Sequence, residues 1–192
     1  FNMNPGALEM SINGRTRAII AQHTFGVACD LESIKEIASR YNVPVIEDCA
    51  HALGARYGGK IVGALADVGF FTTDHSKMAN TVFGGMVTTN NDALAARVDR
   101  IQRRTPFLSM SQHKRLLLTF LVEYPLYASS MLWLGRSIVP ALSKARLLFA
   151  WHDELCLTNP DRYPSPARLS SQQAALGLSQ FGSLQNNLDH RR

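Results

Sequence analysis

An α/β fold with a largely parallel sheet is what this sequence predicts, on three observations. Over the first hundred residues, short apolar runs alternate with amphipathic helical patterns, the order expected of strands joined by helical crossovers. A carboxylate, Asp48, stands at the C-terminal end of one of the buried apolar runs, where open α/β sheets meet their ligands. The composition, 46% hydrophobic and 18% charged over 192 residues, supports a sizeable core within the range of one ordinary domain. It excludes a disordered tail and a collagen-like repeat.

Each element has its own signal. Ala18 to Ala21 is an apolar run after a basic turn and reads as the first strand. Asp30 caps a helical pattern with Leu31, Ile34, Ile37 and Ala38 on one face and Glu32, Lys35 and Glu36 on the other. Val43 to Ile46 is the next strand, ending at Glu47 and Asp48. Gly58 and Gly59 read as a tight hairpin turn between Ala55–Tyr57 and Lys60–Val62. Asp67–Thr73 and Gly85–Thr89 are two further strands. Asn91 caps a helix that runs through Leu94, Val98 and Ile101, and a helical pattern returns from Ser170 to Phe181.

The charge is unevenly placed. A net charge of +5 brings nucleic acid and anionic small molecules into consideration. Between Arg97 and Arg146, nine Lys or Arg face two acids, Asp99 and Glu123, a surplus of seven. Inside this stretch, Leu116 to Leu142 approaches the roughly 20 apolar residues of a membrane span, but Glu123, Pro125 and Arg136 interrupt it. Two readings stay open: peripheral contact of residues 114–146 with an anionic membrane surface, or helices packed on the protein or a partner subunit. No helix-turn-helix or aromatic-basic RNA motif is present, so no nucleic-acid partner is expected. Cys29, Cys49 and Cys156 are odd in number, widely spaced and without any CxxC. That pattern predicts neither a disulfide framework nor a metal site, and it favours a reducing compartment. No charged segment leads from Phe1 into an apolar one, so no signal peptide is expected. The expected location is cytoplasmic, with peripheral membrane attachment as the alternative.

Two side chains carry candidate chemistry. Asp48 closes a buried strand, where its carboxylate is placed to meet a ligand or to cap a helix. Lys77 follows a strand and precedes Gly84 and Gly85. A lysine in a small, partly desolvated site can lose its proton and attack a carbonyl, whereas most lysines are simply solvated.

Taken together with their surroundings, these residues are similar to a known family. The segment VIEDCAHALGARYGGKIVGALADVGFFTTDHSKMANTVFGGMVTTN, residues 45–90, resembles the DegT/StrS family of sugar aminotransferases, which depend on pyridoxal phosphate (PLP). Arg15–Ile20 with His23 and Gly26 upstream, and Arg168 with Gln173–Gly177 downstream, resemble further segments of that family. The resemblance covers residues 1–104 and about 160–192. It implies a three-layer sandwich with a mostly parallel sheet, the large domain of the aspartate-aminotransferase-like PLP fold, present here as its central part. Residues 1–104 would belong to that domain, 105–160 would be a basic, apolar helical insertion, and 161–192 would lead towards a smaller domain.

The resemblance also implies roles. Lys77 matches the lysine that binds PLP covalently and then moves a proton on the substrate. Asp48 matches the aspartate that keeps the pyridine nitrogen protonated, which lets the ring drain carbanion charge. Ala50 would let the flat ring pack closely, His51 would lie near the ring hydroxyl, and Thr72 takes the place of a phosphate-binding serine. The implied reaction passes an amino group from an amino acid such as glutamate to a nucleotide-linked keto-sugar, in polysaccharide or glycan precursor synthesis, by a homodimer with its site at the subunit interface. His23 is expected to fix a turn, His75 to play no part, and Cys49 to be a small core residue.

Departures define the alternative. Val82-Phe83-Gly84-Gly85 stands where the family usually has Gly-Glu-Gly-Gly, and Pro166 stands where it often has an asparagine that reaches a phosphate. These changes fit a degenerate or truncated relative with a regulatory or assembly role.

Overall fold

The computed structural model describes residues 1–127, 130–149 and 166–190. Cys156 and the expected boundary at 160/161 lie outside these residues. The chain divides into two compact units, residues 1–101 with 175–192, and residues 102–174.

The first unit opens with α1 (Pro5–Ser11), which has Asn4 as its N-cap and proline in its first turn. It continues with β1 (Ile19–Gln22), α2 (Leu31–Arg40), β2 (Val45–Asp48), a small hairpin of β3 (Arg56–Tyr57) and β4 (Lys60–Ile61), β5 (Val68–Thr72) and β6 (Gly85–Thr88). The expected elements are all present, each within a residue or two of its predicted bounds. β2 begins at Val45 rather than Val43, because the Val43 amide is bonded back to the Ala38 carbonyl at 3.0 Å and Pro44 has no amide to offer a ladder. The sheet order is β1-β2-β5-β6, parallel across the first two pairings and antiparallel between β5 and β6. An α/β fold on a mostly parallel sheet is therefore what the chain adopts.

α2 supplies the crossover that a parallel pair requires. Asp30 Oδ1 accepts from the Ser33 amide at 3.2 Å, and the buried face of the helix is Leu31, Ile34, Ile37 and Ala38. Leu31, Ile34 and Ala38 join Ile19, Ala21, Cys29 and Val45 in one core. A second core of Cys49, Ala52, Val62 and Phe71 lies under the segment linking β2 to β5. The backbone of Gly63 passes so close to β5 that a Cβ on Gly69 would collide with it. The sheet is buried on one face only. Ile19, Ala21, Val45, Glu47 and Phe71 point inward, while Ile20 and Val87 are exposed.

α3 (Asp92–Arg104) is capped by Asn91, whose Oδ1 accepts from Ala93 and Leu94. In the second unit, α4 (Met110–Leu126) starts with a reciprocal cap between Ser109 and Gln112. Pro125 does not break this helix. It sits in the last turn, and the helix ends one residue later. α5 (Leu132–Lys144) returns antiparallel: Gly135 meets the Leu126 carbonyl at one end, and Arg115 donates to the Leu148 carbonyl at the other. Leu116, Val139, Leu148 and Phe149 are buried there, and the Arg115 guanidinium lies 4.3 Å from the Phe149 ring centroid. Arg168 donates to the Gln102 carbonyl at 2.8 Å and to the Arg103 carbonyl, closing the end of α3. α6 (Ser171–Gly182) and α7 (Leu184–His190) complete the chain. No helix among the described residues is long and apolar enough to cross a membrane.

Candidate active site

Chemistry-bearing side chains gather at the C-terminal edge of the parallel strands. β2 and β5 pair with Asp48 opposite Phe70. Opposed residues in a ladder point to the same face, as does the residue two positions further on. Asp48 and Thr72 therefore stand on one face, at the ends of neighbouring strands. Asp48 is half-buried, and its Oδ1 accepts from the Ala50 amide at 3.0 Å. This local turn fixes the carboxylate and sets the small Ala50 side chain beside it.

Thr72 leads directly to Lys77. The Thr72 hydroxyl lies 3.4 Å from Asp74 Oδ2 and 3.4 Å from the Gly84 carbonyl, both at the weak limit of a hydrogen bond. Asp74 is held better through Oδ1, which accepts from the Ser76 amide and hydroxyl at 2.7 Å each. Lys77 Nζ is 3.8 Å from Asp74 Oδ2, and the Lys77 side chain is only 16% exposed. Thr72, Asp74 and Lys77 thus form one run of contacts just beyond β5. Asp74 went unrecognised in the sequence. Its one signal there is an acid three residues before the lysine.

The returning loop is tied down from a distance. The Asn80 amide donates to Gln180 Oε1 and Gln180 Nε2 donates back to the Asn80 carbonyl, both at 2.7 Å. The Thr73 and Thr81 hydroxyls meet at 2.6 Å. Val82 follows at φ 71°, buried to 1% exposure. That left-handed conformation suits glycine and strains a β-branched side chain. The first glycine of the family's Gly-Glu-Gly-Gly corresponds to this valine, so the departure read in the sequence falls on a backbone that still has the shape glycine favours.

Glu47, the neighbour of Asp48, points the other way, into the protein. Its carboxylate accepts from the amides of Gly63 at 2.7 Å, Leu65 at 2.7 Å and Ala66 at 2.8 Å, and meets His23 Nε2 at 3.2 Å. Burial pushes this carboxyl up, but the bonds from His23 and the three amides together hold it below its usual value. His23 Nδ1 accepts from the Cys29 amide at 3.0 Å, so the ring proton sits on Nε2 and is donated to Glu47. His23 fixes its turn as expected. Cys49 lies within 4.8 Å of both residues. Its thiol is pushed up to about 12, first by burial and then by the charges of Glu47, Asp48 and Cys29. The ring nitrogens and the Glu47 oxygens are already engaged in this network, which leaves it structural.

His51 lies in the turn after β2, exposed, with its ring stacked on Phe25 at 6.0 Å between centroids and 10° between planes. This contact is with the turn after β1.

Comparisons with known proteins identify the family. Residues 1–115 match the profile described as the DegT/DnrJ/EryC1/StrS aminotransferase family. GDP-perosamine synthase of Caulobacter vibrioides is 46% identical over 98 residues, 51% of this chain and 26% of that protein. The dTDP-3-amino-3,6-dideoxy-alpha-D-galactopyranose transaminase of Aneurinibacillus thermoaerophilus is 45% identical over 100 residues, 52% of this chain and 28% of that protein. The matched segment thus spans about a quarter of each of these relatives. Among solved structures, an aminotransferase from Psychrobacter cryohalolentis superposes with a TM-score of 0.53 at 33% identity, covering 55% of this chain and 27% of that one. PseC of Helicobacter pylori, an aminotransferase involved in the biosynthesis of pseudoaminic acid, does so with a TM-score of 0.52 at 31% identity, over 56% of this chain and 29% of that one. With more than half its length matched by the family profile, the chain belongs to the DegT/DnrJ/EryC1/StrS aminotransferase family.

Proposed function

We propose that this chain supplies the central part of a PLP-dependent aminotransferase, which moves an amino group from an amino acid such as glutamate to a keto carbon of a nucleotide-linked sugar, in a homodimer. The observation that carries the reading is the shared face and edge of Asp48 and Thr72, with Lys77 joined to Thr72 through Asp74. The relatives named as a GDP-perosamine synthase and a dTDP-sugar transaminase support the substrate class.

The donor set fits the cofactor. It offers a half-buried carboxylate for a pyridinium nitrogen, a weakly engaged hydroxyl for a phosphate, and a largely buried amine for an aldehyde. When bound, PLP supplies an electron sink that stabilises negative charge on the substrate carbon. Asp48 would hold the ring nitrogen protonated, Ala50 would leave room for a flat ring, and Thr72 would donate to a phosphate oxygen. His51 would reach the ring hydroxyl by a turn of its side chain away from Phe25. The Lys77 amine would bind the cofactor covalently and, once released, act as the base that moves a proton from the amino-bearing carbon of the donor in the first half-reaction and onto the corresponding carbon of the sugar in the second.

The test is borohydride reduction of the PLP-treated protein followed by peptide mapping. A phosphopyridoxyl group on the Lys77 peptide, absent from Lys77→Ala, is expected. Labelling spread over surface lysines, or unchanged in Lys77→Ala, overturns the assignment.

A further inference from the structure

The loop that carries Lys77 is closed locally but anchored from far away. At its neck the Thr81 amide donates to the Thr73 carbonyl at 2.8 Å, and the two hydroxyls meet at 2.6 Å. Lys77 stands between these threonines, three residues before Asn80. The Asn80 side chain ties the loop across its width. Its Oδ1 accepts from the Val82 amide at 2.7 Å, and its Nδ2 donates to the His75 carbonyl at 3.5 Å, the long limit of a hydrogen bond. The backbone of Asn80 is held by Gln180, one hundred residues on: Oε1 accepts from the amide and Nε2 donates to the carbonyl, both at 2.7 Å. Gly177, one helical turn earlier on α6, faces the same loop, since a Cβ placed there would lie 3.4 Å from the Thr81 methyl carbon. Gln180 and Gly177 both belong to the first unit, as the loop does.

One side-chain amide that both accepts from and donates to the same backbone residue fixes its orientation as well as its distance. Asn80 cannot shift without straining two bonds at once, and through its own side chain it carries that restraint to His75 and Val82, on either side of Lys77. The lysine amine has little else to hold it. It lies 3.8 Å from Asp74 Oδ2, an ion pair beyond ordinary hydrogen-bond length, so the loop backbone sets where it stands. We propose, on the aminotransferase reading of Lys77, that Gln180 is a positioning residue for that lysine: it clamps the loop so that the amine stays beside Asp74 at the end of β5.

The experiment compares the whole protein with Gln180→Met, which keeps the length of the side chain and removes both polar groups, and with Gln180→Glu. Each is treated with PLP and borohydride well below its unfolding midpoint, and the share of phosphopyridoxyl label on the Lys77 peptide is read against the other lysines. Gln180→Met should lower that share about tenfold, as a small misplacement of a reacting group does. A loss of stability alone would leave the share unchanged in the folded protein. In Gln180→Glu the carboxylate keeps an acceptor for the Asn80 amide but has no proton for the carbonyl, and protonation restores the donor. Its share relative to the parent should therefore be low at pH 8 and rise about fivefold by pH 5, because facing a carbonyl favours the protonated carboxyl. Gln180→Met should show no such rise. Equal shares in the parent and Gln180→Met overturn the proposal, as does a Gln180→Glu ratio that is flat with pH. Deuterium exchange of the Asn80 amide, followed without PLP, should quicken about tenfold in Gln180→Met, and equal exchange overturns the clamp whatever the labels show. A parent that labels Lys77 no more than its other lysines overturns the aminotransferase reading and the positioning role together, and the exchange result tells that failure from failure of the clamp.

Discussion

Single residues in this chain are legible through their partners. Cys49 is the simplest case. Buried beside Glu47 and Asp48, its thiol is held near 12, so almost no thiolate forms at pH 8. Iodoacetamide at that pH should leave Cys49 unmodified in the folded protein and alkylate it once the chain is unfolded, as mass mapping would show. Val82 makes a sharper prediction. At φ 71° its backbone carries a strain of about 1–2 kcal/mol that glycine would relieve, while its buried side chain contributes a similar amount through burial. Val82→Ala loses the burial and keeps the strain, whereas Val82→Gly loses both. Val82→Gly should therefore be the more stable variant by about 1 kcal/mol, reversing the usual order of alanine over glycine. Urea unfolding of the two variants decides it, and an alanine variant more stable than the glycine one would contradict the φ assigned to Val82.

Among the elements, the strands and helices of the first unit were readable because each carried its own periodicity and cap. Asp30, Asn91 and the apolar face of α2 are local signals, and local structure followed them. What the sequence hid was tertiary pairing. Gln180 looks like an ordinary polar residue on a helix, yet it holds both backbone groups of Asn80, one hundred residues away. Asp74 looks like a loop acid, and only the structure places it between Thr72 and Lys77. Lys77, Asp48 and Thr72 were singled out by the resemblance of residues 45–90 to a family segment, which an ordered sequence can carry. The α4–α5 crossing is another pairing without a sequence signal. A Cβ on Gly135 would strike the Leu126 carbonyl, and backbone cannot move aside as a flexible side chain can. Gly135→Ala should force the helices apart and cost about 1–3 kcal/mol. Thermal unfolding would show this, and an unchanged midpoint would mean that the crossing is looser than described.

At the scale of the whole molecule, stability should depend on the Glu47 network. The Glu47 carboxyl is held below its usual value of 4.5 in the folded chain. Its contribution is therefore complete above about pH 4.5 and is lost as the pH falls through the lower folded value. Glu47→Gln puts an amide donor among donors and should cost about 3 kcal/mol at pH 7. The variant should also lose less stability than the parent between pH 5 and pH 3. Denaturant unfolding at both pH values checks this, and parallel losses in the two proteins would refute it. The network has another consequence, which concerns insertions and deletions. Glu47 and Asp48 are neighbours that serve opposite sides of one sheet, so their tasks are separated only by the alternation of a single strand. Removing Val45 or Ile46 would exchange odd and even: a carboxylate shaped for solvent would enter the core, and the core's own acid would face the ligand edge. This short stretch can vary in chemistry at several positions, but its length is as strictly set as the spacing of teeth on a gear.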